Sequence, residues 1–536
     1  MTGSSAADPT DASEGSRHLA VLLAMAMFVL VVDTSLMNVS IAAVIDDLDT
    51  TASGVQSAIA LEALVSAAFI LISSKVSDLI GRKRAYVIGL CAYALGALAM
   101  TLAQSLTAIV VFWAVIGGLG ASLLLPAMQS LIHGNFSGSM RKQAYALVGA
   151  AAAIAAAVGP LLGGFVTTFL SWRVGFAMEV VIIAIVLARI GLIRDVPYTG
   201  SRKIDVVGAV LSVVGMGGVV LGILMWQEGG ELVGLMMSVG VAALAALAWW
   251  LVHRKRVGKV TLLDPDLFRH PNFTAGATGQ ALQNATLGGA MIALPLFLQM
   301  TLEYDALRTG LSMAPLSLTM FAVAILAGKK AGGRRPSAII RAGFALTTVG
   351  MAAIIPLVPR VESGWWLAIP LVVVGAGLGL LVSQLNNYTL APVPEERVSE
   401  AAGVNSAAGN FGLSFGLAMA GGVLLAVLSF SFTRMTEGSA VIPQAEQDQI
   451  AAVLETDAEV MSTTQLAARI ADQPPEVEAA VLEINEDARN LSLQVALVVP
   501  TLAALFGLFN SLHMIRLPDL RRYGAGDNGP VRTTEE

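Results

Sequence analysis

The 536-residue chain is 56% hydrophobic and only 13% charged, with a mean hydropathy of +0.74; an ordinary globular domain carries about 25% charged residues, and a water-soluble chain this apolar could not cover its surface with polar groups. The net charge of −6 argues against nucleic acid as a partner. The single cysteine, Cys91, excludes an intrachain disulfide framework and a paired-cysteine zinc site.

Residues 1–17 are small, polar and slightly acidic, without an apolar core or cleavage site of their own, and read as a disordered cytosolic tail. Beyond them, stretches of the roughly 20 apolar residues needed to cross about 30 Å of hydrocarbon recur. They fall near 19–45, 54–75, 84–104, 107–132, 143–168, 174–193, 205–226, 233–252, 273–300, 310–328, 338–358, 365–391, 402–431 and 491–515. These spacings predict an all-α membrane protein with 14 transmembrane helices and both termini on one side.

Charge predicts which side. Counting alternate gaps as inside, six of the 32 Lys and Arg fall outside (Arg173, Arg308, Arg360, Arg434, Arg469 and Arg489), leaving 32 − 6 = 26 inside. That asymmetry is a positive-inside signal for an N-in/C-in chain. Two gaps are long. Residues 253–272 form a basic cytosolic connector, and 432–490 form an acidic extracytoplasmic loop with twelve carboxylates against three Arg. Ile450, Val453 and Leu454, and then Val477, Val481 and Ile484, recur at helical spacing, which predicts a helical hairpin over the outer face. It is either a solvated spacer or a negative field that gathers cations.

Three local patterns stand out in chain order. The first helix carries Val32-Asp33-Thr34-Ser35-Leu36-Met37-Asn38-Val39. The gap after the second reads Ser74-Lys75-Val76-Ser77-Asp78-Leu79-Ile80-Gly81-Arg82-Lys83-Arg84. A carboxylate, a glycine turn and a basic cluster suit a latch, with Asp78 capping a neighbouring helix N-terminus and the arginines pairing with acids; a plain basic turn is the simpler reading. The fifth helix holds Gly159-Pro160-Leu161-Leu162-Gly163-Gly164, where proline removes a hydrogen bond and small residues allow close backbone approach.

These patterns resemble the major facilitator superfamily. Asp78, Gly81, Arg82 and Lys83 match its gating-loop signature, with Ser74 in place of the first glycine. Gly159, Pro160, Gly163 and Gly164, followed by Ser171-Trp172-Arg173, look like the antiporter motif of its drug-export branches. Asp33, Thr34 and Asn38 are similar to an element of the fourteen-helix drug:proton antiporters, and the resemblance continues through Gln299 to Pro315 and Gly375 to Gly379. It implies two pseudo-symmetric six-helix bundles, 18–194 and 273–515, separated by two additional linker helices at 205–252, with a cytosolic tail at 516–536. It departs at Ala114, where the family has a proton-coupling Arg, at Glu62 for the usual Tyr, and at Glu179 for an Asn. The second-half loop at 328–335 lacks the aspartate of its counterpart.

Asp33, Glu62 and Glu179 are acids inside predicted spans. A charged carboxylate at mid-bilayer costs about 2.5–3.5 kcal/mol, and removal from water favours its neutral form, so at least one is expected to exchange a proton during transport. Without the family's Arg, Glu62 or Glu179 is expected to carry the coupling. The alternative for each is a packing hydrogen bond. Thr34, Asn38, Gln283, Asn284 and Asn387 are the best candidates for lining a substrate cavity; Gln280, Gln384, Asn386, Asn405 and Asn410 suit interhelical hydrogen bonds.

The expectation is a monomeric, proton-coupled exporter of lipophilic or cationic drugs, working in the bilayer by alternating access. It needs no cofactor, binds no metal, and is not an enzyme. No Walker-type phosphate loop appears. Export of an endogenous lipid or metabolite, or a non-transporting sensor or enzyme on the same scaffold, are the alternatives.

Overall fold

The structure is a computed structural model. It describes residues 9–517 except 137, 196–203, 228–231, 331–334, 362, 394–396, 440, 443–462 and 472–473. Ile450, Val453, Leu454, residues 331–334 of the second-half loop, 1–8 of the first tail and 518–536 of the last lie outside the described residues, and the rest of the first tail, expected to be disordered, is already helix from Pro9.

Every apolar stretch read from the sequence becomes helix. In chain order these are α1 (Pro9–Val39), the short α2 (Ile41–Leu48), α3 (Ala52–Ile80) and α4 (Arg82–Leu102), followed by a π-helix (Ile109–Gly117) that runs into α5 (Gly118–Asn135). Then come α6 (Gly138–Phe169), α7 (Trp172–Ala188), α8 (Val206–Gln227), α9 (Val233–Arg256), α10 (Pro271–Leu296), α11 (Ala306–Lys330), α12 (Pro336–Ile354), α13 (Ala368–Leu390), α14 (Val398–Glu437), α15 (Thr463–Arg469) and α16 (Pro475–His513). Thirteen of the described helices are long and apolar enough to cross a membrane. The predicted span 174–193 is the one that falls short, because α7 has 17 residues before the chain tightens into a 3₁₀ turn at Ile190–Leu192.

Two helix groups follow from the contacts. Helices α1 and α3–α7 pack with one another; α10–α14 and α16 form the second group; α8 and α9 pair together and lean on α3 and α14 through α8. The groups meet along two lines, α3 against α14 and α6 against α11. Large apolar side chains such as Trp249, Trp366, Ile369 and Phe506 stand exposed on the flanks, where hydrocarbon is the matching solvent.

The chain enters α1 at one end of the bundle, the near end, and leaves it at the other, the far end. Ends are set by local chemistry. Thr51 caps α3, its hydroxyl accepting from Gly54 N at 3.1 Å, and Ser171 caps α7 in the same way. Gly81, at φ +98°, turns α3 into α4 with a conformation that side chains rarely adopt.

At the far end, α14 (40 residues) and α16 (39 residues) are each about 60 Å long at 1.5 Å per residue, twice the hydrocarbon thickness. The expected second arm of a hairpin is therefore the far-end extension of α16, continuous with the last span. Val477, Val481, Ile484 and Ala488 pack there with Leu428, Phe432 and Leu466 into a small separate core. Glu303 accepts hydrogen bonds from Thr464 N and Oγ1 at 2.7 and 2.6 Å, tying this cap to the α10–α11 turn.

Candidate functional site: a cavity between two helix bundles

A cavity of about 250 Å³ lies between the two groups. Its wall is mostly apolar, with Met27, Met291, Met320, Leu287 and Leu417, interrupted by Thr34, Ser35, Asn38, Glu62, Ser66, Asn284 and Asn410. Among the described residues, Glu62 is the only acid or base on it. Helical spacing puts Val31, Thr34, Ser35 and Asn38 on one face of α1. Asn38 Nδ2 donates to Thr34 O at 2.8 Å, and its Oδ1 is buried without a partner among the described residues. Asn284 donates to Gln280 O at 3.0 Å. Across the interface, Asn410 Nδ2 donates to Ser66 Oγ at 3.1 Å, joining α14 to α3.

Asp33 and Glu179 stand behind this wall. Asp33 is 1% exposed and accepts from two neutral donors, the Tyr93 hydroxyl and Trp113 Nε1, the latter at 3.0 and 3.1 Å from its two oxygens. Glu179 is 2% exposed, and neither carboxyl oxygen has a hydrogen-bond partner among the described residues. Asp33 lies within electrostatic reach of both Glu62 and Glu179, and none of the three is in an ion pair among the described residues. Trp113 sits on the π-helix, a wider turn common at functional sites, with its ring edge-on to Phe176 at 6.3 Å. Ala114 beside it is fully buried. The cation that the resemblance places at this position is thus replaced by neutral donors from the neighbouring side chain and from α4.

Of the residues singled out from sequence, Thr34, Asn38, Glu62 and Asn284 meet in the cavity. Gln283 and Asn387 do not: Gln283 is buried elsewhere on α10, and Asn387 is exposed near the end of α13. Tyr93, Trp113 and Ser66 were missed. Two neutral aromatic residues within apolar helices carry no signal of their own until the fold brings them onto Asp33, 60 and 80 residues away.

The glycines of α6 let neighbouring backbones approach closely. A Cβ on Gly159 would lie 2.5 Å from Ser35 Cβ, and one on Gly163 2.9 Å from Leu36 Cα, so α6 lies directly on α1. On the other side, a Cβ on Gly164 would meet Ala306 O at 2.4 Å, and one on Gly310 would meet Pro160 O at 2.2 Å. Pro160 lies within an unbroken helix. Leu307 N donates to Thr168 Oγ1 at 3.0 Å, while Gln299 bridges to α1 by accepting from Ala42 N (3.0 Å) and donating to Val39 O (3.1 Å). Together these contacts seal the far end between the bundles.

At the near end the loop is latched by a residue that sequence reading passed over. Asp195, just beyond α7, accepts from Lys83 N at 3.0 Å at the start of α4, and leaves a Cβ on Gly81 only 2.9 Å from its carboxylate. Asp78 pairs with Arg82 at 3.6 Å across the α3–α4 turn, and among the described residues it caps no neighbouring helix. Arg84 is exposed. The connector after α9 carries a second cluster. Asp264 pairs with Lys255 and Arg397, and its N–H donates to Glu400 Oε1 at 2.8 Å, joining α9 to α14. Burial alone would raise the Asp264 carboxyl, but hydrogen bonds from Lys255 and Asp266 N and the charges of Arg397 and Lys255 outweigh it and hold it below the usual carboxylate range.

Comparison with known proteins agrees with this architecture. The family model described as Major Facilitator Superfamily matches residues 23–417. Among curated proteins, the chain is 26% identical over 427 residues to a probable actinorhodin transporter of Streptomyces coelicolor, covering 76% of this chain and 72% of that one. It is 27% identical over 409 residues to the multidrug resistance protein Stp of Mycobacterium tuberculosis (76% and 75%), and 28% over 388 residues to the quinolone resistance protein NorB of Staphylococcus aureus (70% and 82%). Among solved structures, a bacterial homolog of the human lysosomal transporter Spinster, inward-facing and unoccupied, superposes with a TM-score of 0.59 at 12% identity, covering 98% of this chain and all of that one. A D-xylose–proton symporter gives 0.55 at 12%, covering 91% and 96%; at such identity these two show the fold alone. Cavity, glycine-packed interface, apolar flanks and family match converge: the chain belongs to the major facilitator superfamily and is a multi-pass secondary transporter of a bacterial inner membrane, not an enzyme.

Proposed function

We propose that the protein exports lipophilic or cationic drugs in exchange for protons, with Glu62 as the group at which the two compete. The observation that carries this is the placement of the acids. Glu62 alone is on the wall of a methionine- and leucine-lined cavity, while Asp33 and Glu179 are enclosed behind it and no cation neutralises any of them among the described residues. An ionised Glu62 attracts an organic cation without a rigid pocket; once protonated it loses that attraction and the cation leaves. Asp33, held by Tyr93 and Trp113, stands within electrostatic reach of Glu62 and adds to the field there. The chain crosses the membrane fourteen times, with α7 the shortest span. The near end is cytosolic, because the basic loops gather there. In the conformation described the far end is sealed, and export follows when the two bundles swing about the α3–α14 and α6–α11 lines. The working unit is one chain in the bilayer. The relatives named for multidrug and quinolone resistance support a drug substrate.

Export of an endogenous metabolite is the second reading, favoured by Ala114 and by the relative named for actinorhodin transport; accumulation of one metabolite in a deletion strain would select it.

Purified protein in liposomes under an imposed pH gradient tests the main reading, with tetraphenylphosphonium as the probe cation. Wild type is expected to move the probe against the proton flow. Glu62→Gln is expected to abolish the dependence on the gradient. Probe movement indifferent to the gradient in wild type, or unchanged in Glu62→Gln, overturns the proposal.

A further inference from the structure

A second, smaller cavity of about 30 Å³ lies towards the far end, between α3 of the first bundle and α10, α14 and α16 of the second. Gln56, 2% exposed, lines it with both amide atoms unpartnered among the described residues, and so does Thr301, whose buried hydroxyl is likewise unpartnered. Arg489, 4% exposed and donating to Met300 O at 2.8 Å, and Ser492, whose hydroxyl donates to Arg489 O at 2.9 Å, complete the polar wall.

The donor set identifies the occupant. Gln56 Oε1 requires a donor, Gln56 Nε2 an acceptor, and the Thr301 hydroxyl takes either. A bare anion would leave the amide oxygen unmatched and repelled; water supplies both roles. A buried water needs at least about 10–15 Å³ and two to four polar partners, and both conditions are met.

The pocket stands in line with the central cavity. Ala63 on the cavity wall is seven residues, two turns or about 10 Å, from Gln56 on the same face of α3. Leu413 and Leu417 of the cavity and Leu424 and Leu428 of the pocket likewise share one face of α14. Between them lie buried Ile59, Ala60 and Ile292, with Ser414 Oγ donating to Ala60 O at 2.7 Å.

We propose that this pocket holds ordered water and is the far-end station from which protons reach Glu62, separate from the path of the substrate. The inference rests on the proton-coupled reading above. Among the described residues, the charged groups around the pocket are Arg489 and, within its electrostatic reach, Glu303; the titratable groups near Glu62 are Asp33 and Tyr93.

The test replaces Gln56 in the full chain in liposomes. Gln56→Leu keeps the volume and removes the two amide partners of the water, one donor and one acceptor. It is expected to slow gradient-driven exchange of tetraphenylphosphonium at least about tenfold, and to leave equilibrium binding of the probe from the near side unchanged. Gln56→Asn, which keeps the amide, should retain most of the rate. In a dry pocket the amide would be an unsatisfied burden, so Gln56→Leu would raise the melting temperature and leave exchange at the wild-type rate; either result overturns the inference. A coupled wild type with an indifferent Gln56→Leu removes this inference alone, whereas an uncoupled wild type removes the functional reading with it.

Discussion

The far-end seal between α6 and α11 has no slack, and adding one methyl group there should shift the balance between the transporter's states. In Gly164→Ala the new Cβ would sit 2.4 Å from Ala306 O and 2.9 Å from Leu307 Cα; in Gly310→Ala it would sit 2.2 Å from Pro160 O. Every one of these neighbours is backbone, so no side-chain rotation relieves the clash, and the helices must part by about 1 Å to restore an ordinary contact of about 3.3–3.6 Å. Overpacking of this kind costs about 1–3 kcal/mol, which is about 5- to 150-fold in an equilibrium constant. The cost falls only on the conformation in which α6 and α11 touch at this level, so the population with an open far end should rise by that factor. Spin labels on Leu170→Cys and Trp365→Cys, both exposed and on opposite bundles, in a Cys91→Ser background, report the separation as a distance distribution. Gly149→Ala is the control: it lies on the same helix, and its Cβ would meet nothing within 4 Å. A Gly164→Ala protein that is folded, with the distance distribution of wild type and of the control, would refute the reasoning.

Two further outcomes follow from the polar contacts. Trp113→Phe keeps the ring against Phe176 but removes the N–H donor to Asp33. With a lost hydrogen bond to a charged group worth about 1.5–3 kcal/mol, the pH profile of gradient-driven transport should move while probe binding at a fixed, saturating concentration persists; an unmoved profile would leave Trp113 a packing residue. Asp264→Asn should lower thermal stability in detergent by about 1 kcal/mol at pH 7, since its ion pairs with Lys255 and Arg397 are partly exposed. Because the native Asp264 carboxyl is held below its ordinary value, its stabilisation is present above about pH 4 and is lost as pH falls through the native value. The gap between wild type and variant should therefore close on acidification below the ordinary carboxylate range, and a gap that widened instead would contradict the assignment.

How much of this could be read in the sequence depended on whether the signal was local. A span announces itself by twenty consecutive residues, so each predicted stretch became helix, and only α7 fell short because the chain tightens at Ile190. The glycine pattern at 159–164 was legible because small residues at that spacing have one use, close approach. The cavity was half legible: an acid within an apolar run must be accommodated somewhere, but a run that is apolar all round does not say which side faces the partner helices. Glu62 and Asp33 are equally conspicuous in sequence, yet one faces the cavity and the other is enclosed by Tyr93 and Trp113. Asn387 failed for the same reason, its face being set by α13's packing. Asp195 looked like a routine charge at a helix end until its contact with Lys83, 112 residues earlier, was in view.

The extended α14 and α16 have a practical side as well. Belonging to one bundle and sharing a small core of their own, they rise from the bilayer as a stiff mast anchored to half of the machine. A rocking movement of that half sweeps the top of the mast through a wider arc than any point within the hydrocarbon. An antibody fragment gripping the crest would ride along with it, giving a chain of this modest mass both a visible landmark and a pointer to which way the halves have tipped.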